Sequence, residues 1–163
     1  MKMRPIALLL SLGLLWSCSN DSGSSDPVSI EGTWDAVELQ LDENTATEDE
    51  LLASDFLNIL TAKDCYILNV TFGTDGTATA QNSFDFLDLS GVSQGNFDIP
   101  CPSQFVSESG PYTYENGVLT FTDPDGVTSS VNATISGKTL RMDLDGSVFD
   151  DVVSTGQLIF RKR

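Results

Sequence analysis

From Ile30 onward the dominant feature of the chain is a two-residue alternation of apolar and polar side chains. Tyr66, Leu68, Val70 and Phe72 fall on one face of a run. Leu119 and Phe121 oppose Thr120 and Thr122, and Val127, Ser129, Val131, Ala133 and Ile135 oppose Thr128, Ser130, Asn132 and Thr134. Leu140, Met142 and Leu144 oppose Arg141 and Asp143. Such a period describes strands with one side towards a core and one towards water. The separators are hairpin formers: Gly73-Thr74-Asp75-Gly76, Asn116-Gly117, Asp123-Pro124-Asp125-Gly126 and Ser136-Gly137-Lys138. Asn-Gly and Asp-Gly tolerate the positive φ angles of tight turns. The pattern predicts an all-β domain of eight strands, at about 31–40, 65–72, 77–84, 111–115, 118–122, 127–135, 139–145 and 156–162. Successive hairpins make an antiparallel meander, and closing it into a barrel leaves no unpaired edge.

One segment breaks the alternation. Thr47-Glu48-Asp49-Glu50 has the form of a capping box. It leads into Leu51, Leu52, Phe56, Ile59 and Leu60, spaced for one face of a helix over 47–62. The leading acids suit the positive end of the helix dipole and Lys63 suits the other. This helix is expected to cover apolar surface at a barrel end or flank, with a lid over a cavity mouth as the alternative. Phe84-Asp85-Phe86-Leu87-Asp88-Leu89 can extend a strand or form a helical turn, and a long loop is expected from there to Pro102.

The first residues belong to another system. Lys2 and Arg4 precede an apolar run from Ile6 to Trp16, too short for a permanent membrane span, which needs roughly 20 residues. This is the shape of a secretory signal. Its end, Leu15-Trp16-Ser17-Cys18, resembles the lipobox of bacterial lipoproteins. The resemblance implies cleavage after residue 17, acylation (palmitate among the chains) of Cys18, and attachment to a bilayer. Ser19 to Pro27 then reads as a flexible tether. The expected organisation is signal 1–17, anchor and tether 18–29, barrel 30–163. With no acid after Cys18, known sorting patterns point to the outer membrane of a bacterial envelope, with its periplasmic or surface face left open.

Charge and composition narrow the function. The chain has 163 residues, 24 acids, 8 bases and no histidine. Signal removal takes two of those bases, Lys2 and Arg4, and no acid, so the balance deepens from -16 to -18. Such a surface does not suit nucleic acid, and imidazole catalysis and histidine metal ligation are excluded. No cofactor or metal is expected. Asp143-Leu144-Asp145-Gly146 lacks the full spacing of a calcium loop. Beyond Cys18, Cys65 and Cys101 remain. Outside the inner membrane a structural disulfide between them is expected. Two isolated cysteines without histidine make a poor zinc site, and no Cys-x-x-Cys spacing suggests exchange chemistry.

Gly32-Thr33-Trp34 and the closing Phe160-Arg161-Lys162-Arg163 give residues 30–163 a resemblance to the small lipocalin-like lipoproteins of Bacteroidetes-type bacteria. The Phe72-Gly73-Thr74-Asp75-Gly76-Thr77 turn and the Gly110-Pro111-Tyr112-Thr113-Tyr114 and Asn116-Gly117-Val118-Leu119-Thr120-Phe121 runs extend it. The resemblance implies that Trp34 plugs the closed end of the barrel and that a basic residue of the last strand packs across it, Arg161 first and Arg163 in reserve. It also implies a small hydrophobic ligand. The helical insertion at 47–62 departs from the pattern of that family.

The residues themselves leave the interior open between filled and hollow. The expected inner face carries Trp34, Tyr66, Leu68, Val70, Phe72, Leu119, Phe121, Leu140, Met142, Leu158 and Phe160, a bulky set that favours filling. Strict alternation puts Glu38 on the face of Trp34 as a candidate polar group. Three functions follow: a lipid-anchored carrier of a small apolar molecule; a filled barrel that binds an envelope protein or polymer; and, most remote, a carboxylate-dependent hydrolase, which needs two acids facing each other in a cleft. The expectation is a non-enzyme.

Overall fold

The computed structural model describes residues 29–93, 96–144 and 154–163. Cys18 and the whole 1–28 segment lie outside these, so the signal, anchor and tether are not placed by it. The strands are β1 (Gly32–Leu41), β2 (Leu68–Phe72), β3 (Thr77–Asn82), β4 (Val92–Ser93), β5 (Asn96–Phe97), β6 (Val106–Glu115), β7 (Val118–Thr122), β8 (Thr128–Ser136), β9 (Thr139–Asp143) and β10 (Gly156–Lys162). Eight of them close in the order β1-β2-β3-β6-β7-β8-β9-β10, every pair antiparallel, with β10 returning to β1. The expected meander barrel is therefore what forms. β4 and β5 make a separate small ribbon in the long loop, and Phe84–Phe86 forms a short 3-10 turn there.

The hairpins follow the turn chemistry. Asn116 (φ 52°) and Gly117 (φ 81°) both adopt the positive angles that the β6–β7 connection needs. In the β7–β8 turn, Asp123 Oδ1 accepts the amide of Val127 at 2.8 Å. These turns place the β2–β3, β6–β7 and β8–β9 connections at one end of the barrel, together with the start of β1 and the C-terminus. The other end carries the helix connection, the long loop and the β7–β8 turn.

Helix α1 (Glu48–Thr61) starts on the complete capping box: Thr47 Oγ1 accepts from the Glu50 amide, and Glu50 reaches back to the Thr47 amide at 2.8 Å. The other oxygen of Glu50 accepts from the Ser154 amide and hydroxyl at 3.0 and 3.1 Å, tying the helix start to the approach to β10. The buried face is Phe56, Leu57 and Leu60, while the expected Leu51 and Leu52 are exposed. The i, i+4 spacing from Phe56 to Leu60, with Leu57 beside them, rotates the stripe away from residues 51 and 52. Lys63 lies beyond the last turn and donates to the Ile99 carbonyl at 3.1 Å.

The helix also resolves an edge. β2 pairs with β1 only from Gly32 to Asp35, so β1 runs on without that neighbour. There α1 packs along β1, and Ser54 Oγ donates to the Leu39 carbonyl at 2.8 Å. A strand that would otherwise show open backbone groups is covered instead.

Two expectations about facing are corrected. The β1–β10 register skips at Val37: Ala36 pairs with Phe160, but Glu38 pairs with Ile159 and Leu39 with Leu158. This bulge reverses the parity of the rest of β1. Leu39 and Leu41 turn to the core side, and Glu38 faces out, accepting from Gln40 Nε2 at 2.9 Å. Tyr66 precedes β2 rather than opening it. Ile67 is fully buried, and the Tyr66 hydroxyl donates outside to Asp64 at 3.3 Å.

Candidate functional site: the barrel cavity and its closed end

The closed end is built around Trp34, which has no solvent exposure. Its Nε1 donates to the Ile30 carbonyl at 2.6 Å, so the indole's polar group is satisfied and the segment entering β1 is tied down. Phe160 and Leu140 are buried with it and are register partners on neighbouring strands. Tyr112 stacks edge-on against Phe72 with centroids 4.9 Å apart and donates to the Gly73 carbonyl at 3.0 Å. Its phenol is pushed above its ordinary range, first by burial and then by Glu31 and Asp75. Tyr114 donates to the Ala133 carbonyl at 3.1 Å.

The cation over Trp34 is Lys162, not Arg161. The register sets Trp34 opposite Lys162 and Asp35 opposite Arg161, so alternation sends Arg161 to the outer face. Lys162 Nζ lies 5.0 Å from the indole centroid. Its arm crosses Gly32, where a Cβ would come within 2.9 Å of Lys162 Cε and where φ is +111°. Gly32 thus serves both the backbone turn into β1 and the passage of the lysine.

Arg163 has a different partner. Its guanidinium grips Asp35 in bidentate fashion at 2.7 and 2.8 Å. That bond to Asp35, outweighing burial, raises the Arg163 pKa further above its ordinary value. Asp35 is only 5% exposed, so the arginine stands in for lost water. Replacing Arg163 with alanine leaves that buried carboxylate without its guanidinium and is expected to cost about 1–3 kcal/mol in urea unfolding. Arg161→Ala, on an exposed side chain, is expected to change stability by less than about 0.5 kcal/mol.

Away from this filled base the described residues leave space inside the barrel. A cavity of about 400 Å³ is lined by Val70 and Phe72 of β2, Ala78 and Ala80 of β3, Leu119 and Phe121 of β7, Val131 of β8 and Met142 of β9. The bulky set expected inside does not fill it, because β3 contributes only Ala78 and Ala80, and Ala78 faces Gly110 of β6. Thr77-Ala78-Thr79-Ala80 carries that signal in the sequence, as alternation with a methyl in place of a large group. No residue of α1 lines the cavity, so the helix is a packing element on the flank.

The polar lining is Glu108, Asp123 and Ser129. Glu108 pairs in register with Ala80, which puts it on the inner face of β6. β6 pairs with β3 over Val106 to Pro111 but with β7 only over Tyr112 to Glu115. At Gly110 the two backbones approach closely, and a Cβ there would run into the Thr122 carbonyl oxygen. Beyond that contact β7 turns away at Asp123, leaving the first half of β6 without a ladder partner on that side. Glu108, Asp123 and the exposed Val127 stand at this opening. Alternation through Glu108, Gly110 and Tyr112 could have placed Glu108 inside, had β6 been read as starting before residue 111.

Glu108 and Asp123 are the two described acids in the cavity lining that bear on the hydrolase requirement. A carboxyl acting as general acid near neutral pH needs shielding from water. Glu108 is exposed, and Asp123 spends one oxygen on its own turn. Among the described residues no group of histidine, cysteine or acidic side chains is arranged to hold a metal ion. Cys65 and Cys101 form the expected disulfide, with Cα atoms 5.7 Å apart. It joins the approach to β2 to the long loop and takes no part in the cavity.

Closed, eight-stranded, nearest-neighbour and antiparallel throughout, with a base plugged by Trp34, the architecture is fixed by its own topology. The fold is an eight-stranded up-and-down β-barrel, the architecture that lipocalins share with streptavidin. No family model matches the chain, and no curated protein sequence matches it. Among solved structures it is similar to an uncharacterized protein from Bacteroides eggerthii, at 10% identity and TM-score 0.46, over 83% of this chain and 100% of that one. It is also similar to a lipocalin-like protein from Bacteroides uniformis, at 13% identity and TM-score 0.44, over 82% of this chain and 97% of that one.

Proposed function

We propose that this protein is a bacterial envelope lipoprotein, held in the outer membrane by acyl chains on Cys18, whose lipocalin-like barrel binds one small apolar molecule without transforming it. The observation that carries the ligand reading is the half-filled interior. The cavity of about 400 Å³ falls within the ~300–1,000 Å³ range of small-molecule sites, which combine apolar walls with a few polar groups. The anchor rests on the signal and lipobox pattern alone, and several acyl chains suffice for stable attachment. A filled barrel serving only as an interaction surface fits less well, because its premise is a solid core.

Mass spectrometry of the full chain purified from its own envelope tests both parts. The denatured mass is expected to show loss of residues 1–17 and gain of acyl chains. The native mass is expected to exceed it by one small molecule. Ala80→Phe, which projects a ring into the cavity, is expected to lower retention of that molecule by about tenfold or more. Equal native and denatured masses, together with no uptake of the neutral probe octanol, would overturn the ligand reading. An unmodified Cys18 would overturn the anchor.

A further inference from the structure

The chemistry of the mouth selects among apolar molecules. We infer that the cavity takes an amphiphile whose apolar tail lies between β2, β3 and β7 and whose head group is cationic. This rests on the cavity being a ligand site, as proposed above, and goes on to name the ligand class.

The walls supply the first half of the argument. Val70, Phe72, Ala78, Ala80, Leu119 and Met142 offer a tail no hydrogen bond and no charge. They end at the filled base, so a tail enters from the opening and its head stays near the mouth. The polar groups supply the second half. Glu108 and Asp123 bring two carboxyl side chains to the lining of the same cavity, which also includes the Ser129 hydroxyl. Among the described residues no lysine or arginine lines it. Glu108 makes no hydrogen bond or ion pair among the described residues, and Asp123 has one oxygen committed to the Val127 amide.

A fatty acid or other anionic amphiphile would bring its charge against two carboxylates at the mouth, and like charges repel. A neutral head would neither gain nor lose much. An ammonium, amidinium or comparable cation would be attracted to both. The cations are elsewhere: Lys138, Arg161, Lys162 and Arg163 sit at or near the plugged end, Arg141 on the outer face of β9, and Lys63 beyond α1. Charge thus discriminates at the mouth in a way that overall acidity alone does not require.

The test uses the full lipidated chain in nanodiscs and three probes of equal tail length: octanol, octyltrimethylammonium and octyl sulfate. Affinity is read from the rise in unfolding midpoint with probe concentration. Octyltrimethylammonium is expected to bind about tenfold more tightly than octanol, and octyl sulfate more weakly than either. Glu108→Gln with Asp123→Asn is expected to bring the three together. Asparagine keeps the acceptor for Val127, so the turn is retained, and Glu108→Gln alone, which touches no turn, is expected to remove part of the preference. Glu115→Gln, at the plugged end, is the control and is expected to leave the order intact.

The outcomes separate the two readings. Equal binding of octanol and the ammonium probe overturns the cationic preference and leaves the ligand site standing. An unchanged order in the double variant assigns the preference to the general acidity of the surface and also overturns it. No binding of any probe overturns the ligand site itself.

Discussion

Replacing Trp34 with alanine is expected to destabilise the barrel by about 3–5 kcal/mol, the cost of truncating a large, fully buried aromatic. Chemical unfolding of the full chain measures it, and the thermal midpoint is expected to fall by roughly 10 °C or more. Two losses combine. The void lies among Phe160, Leu140 and Ala36, whose backbones are locked in the barrel ladder and cannot collapse into it. The Ile30 carbonyl also loses the indole N–H that holds it at 2.6 Å. Trp34→Phe separates them: it fills most of the space but not the hydrogen bond, and is expected to cost about 1–3 kcal/mol. A Trp34→Ala loss below about 1 kcal/mol would show that the base of the barrel is not a packed plug.

The second large effect is expected at the disulfide. Replacing Cys65 and Cys101 together with alanine is expected to cost about 4 kcal/mol, because the bond closes a loop of sequence separation 36 and restricts the unfolded chain accordingly. Reduction of the wild type is expected to reproduce most of that loss, and the double variant to be insensitive to reductant. The position adds a native-state component. Cys65 is buried next to Ile67, and Cys101 follows Ile99, a fully buried residue whose carbonyl receives Lys63. The bridge therefore holds the long loop against the end of α1, where few ladder hydrogen bonds do so. Equal unfolding midpoints with and without reductant would remove it from the account of stability.

Both effects concern features legible in the sequence, though not to the same depth. The resemblance carried by Gly32-Thr33-Trp34 and the basic tail implies a plugged base, and Trp34 is buried there with Phe160 and Leu140. Arg161 was the wrong cation because the choice among three consecutive basic residues depends on pairing register, which composition does not encode. Lys162 faces Trp34 only because β10 pairs with β1 as it does. The capping box at Thr47 and Glu50 was legible because it is local, involving four successive residues. The additional bonds from Glu50 to Ser154 were not, since the partners stand 104 positions apart. The cavity was hidden for a related reason. Each strand's face can be read alone, but the space left inside depends on which residues share a level around the ring. Ala78 and Ala80 decide that level together with Glu108 opposite.

The sequence by itself determined the local and the periodic: strands from alternation, hairpins from Asn-Gly and Asp-Gly, one capped helix, and an acidic chain without imidazole. Those properties follow from interactions among near neighbours along the chain, and they survive almost any global arrangement. Only the tertiary structure decided which way Glu38 and Tyr66 face, which cation covers Trp34, and how far the barrel is filled. A single extra residue at Val37 reverses the parity of everything after it in β1, and the volume at the centre is fixed by closure of the ring. Neither is a property of any one strand.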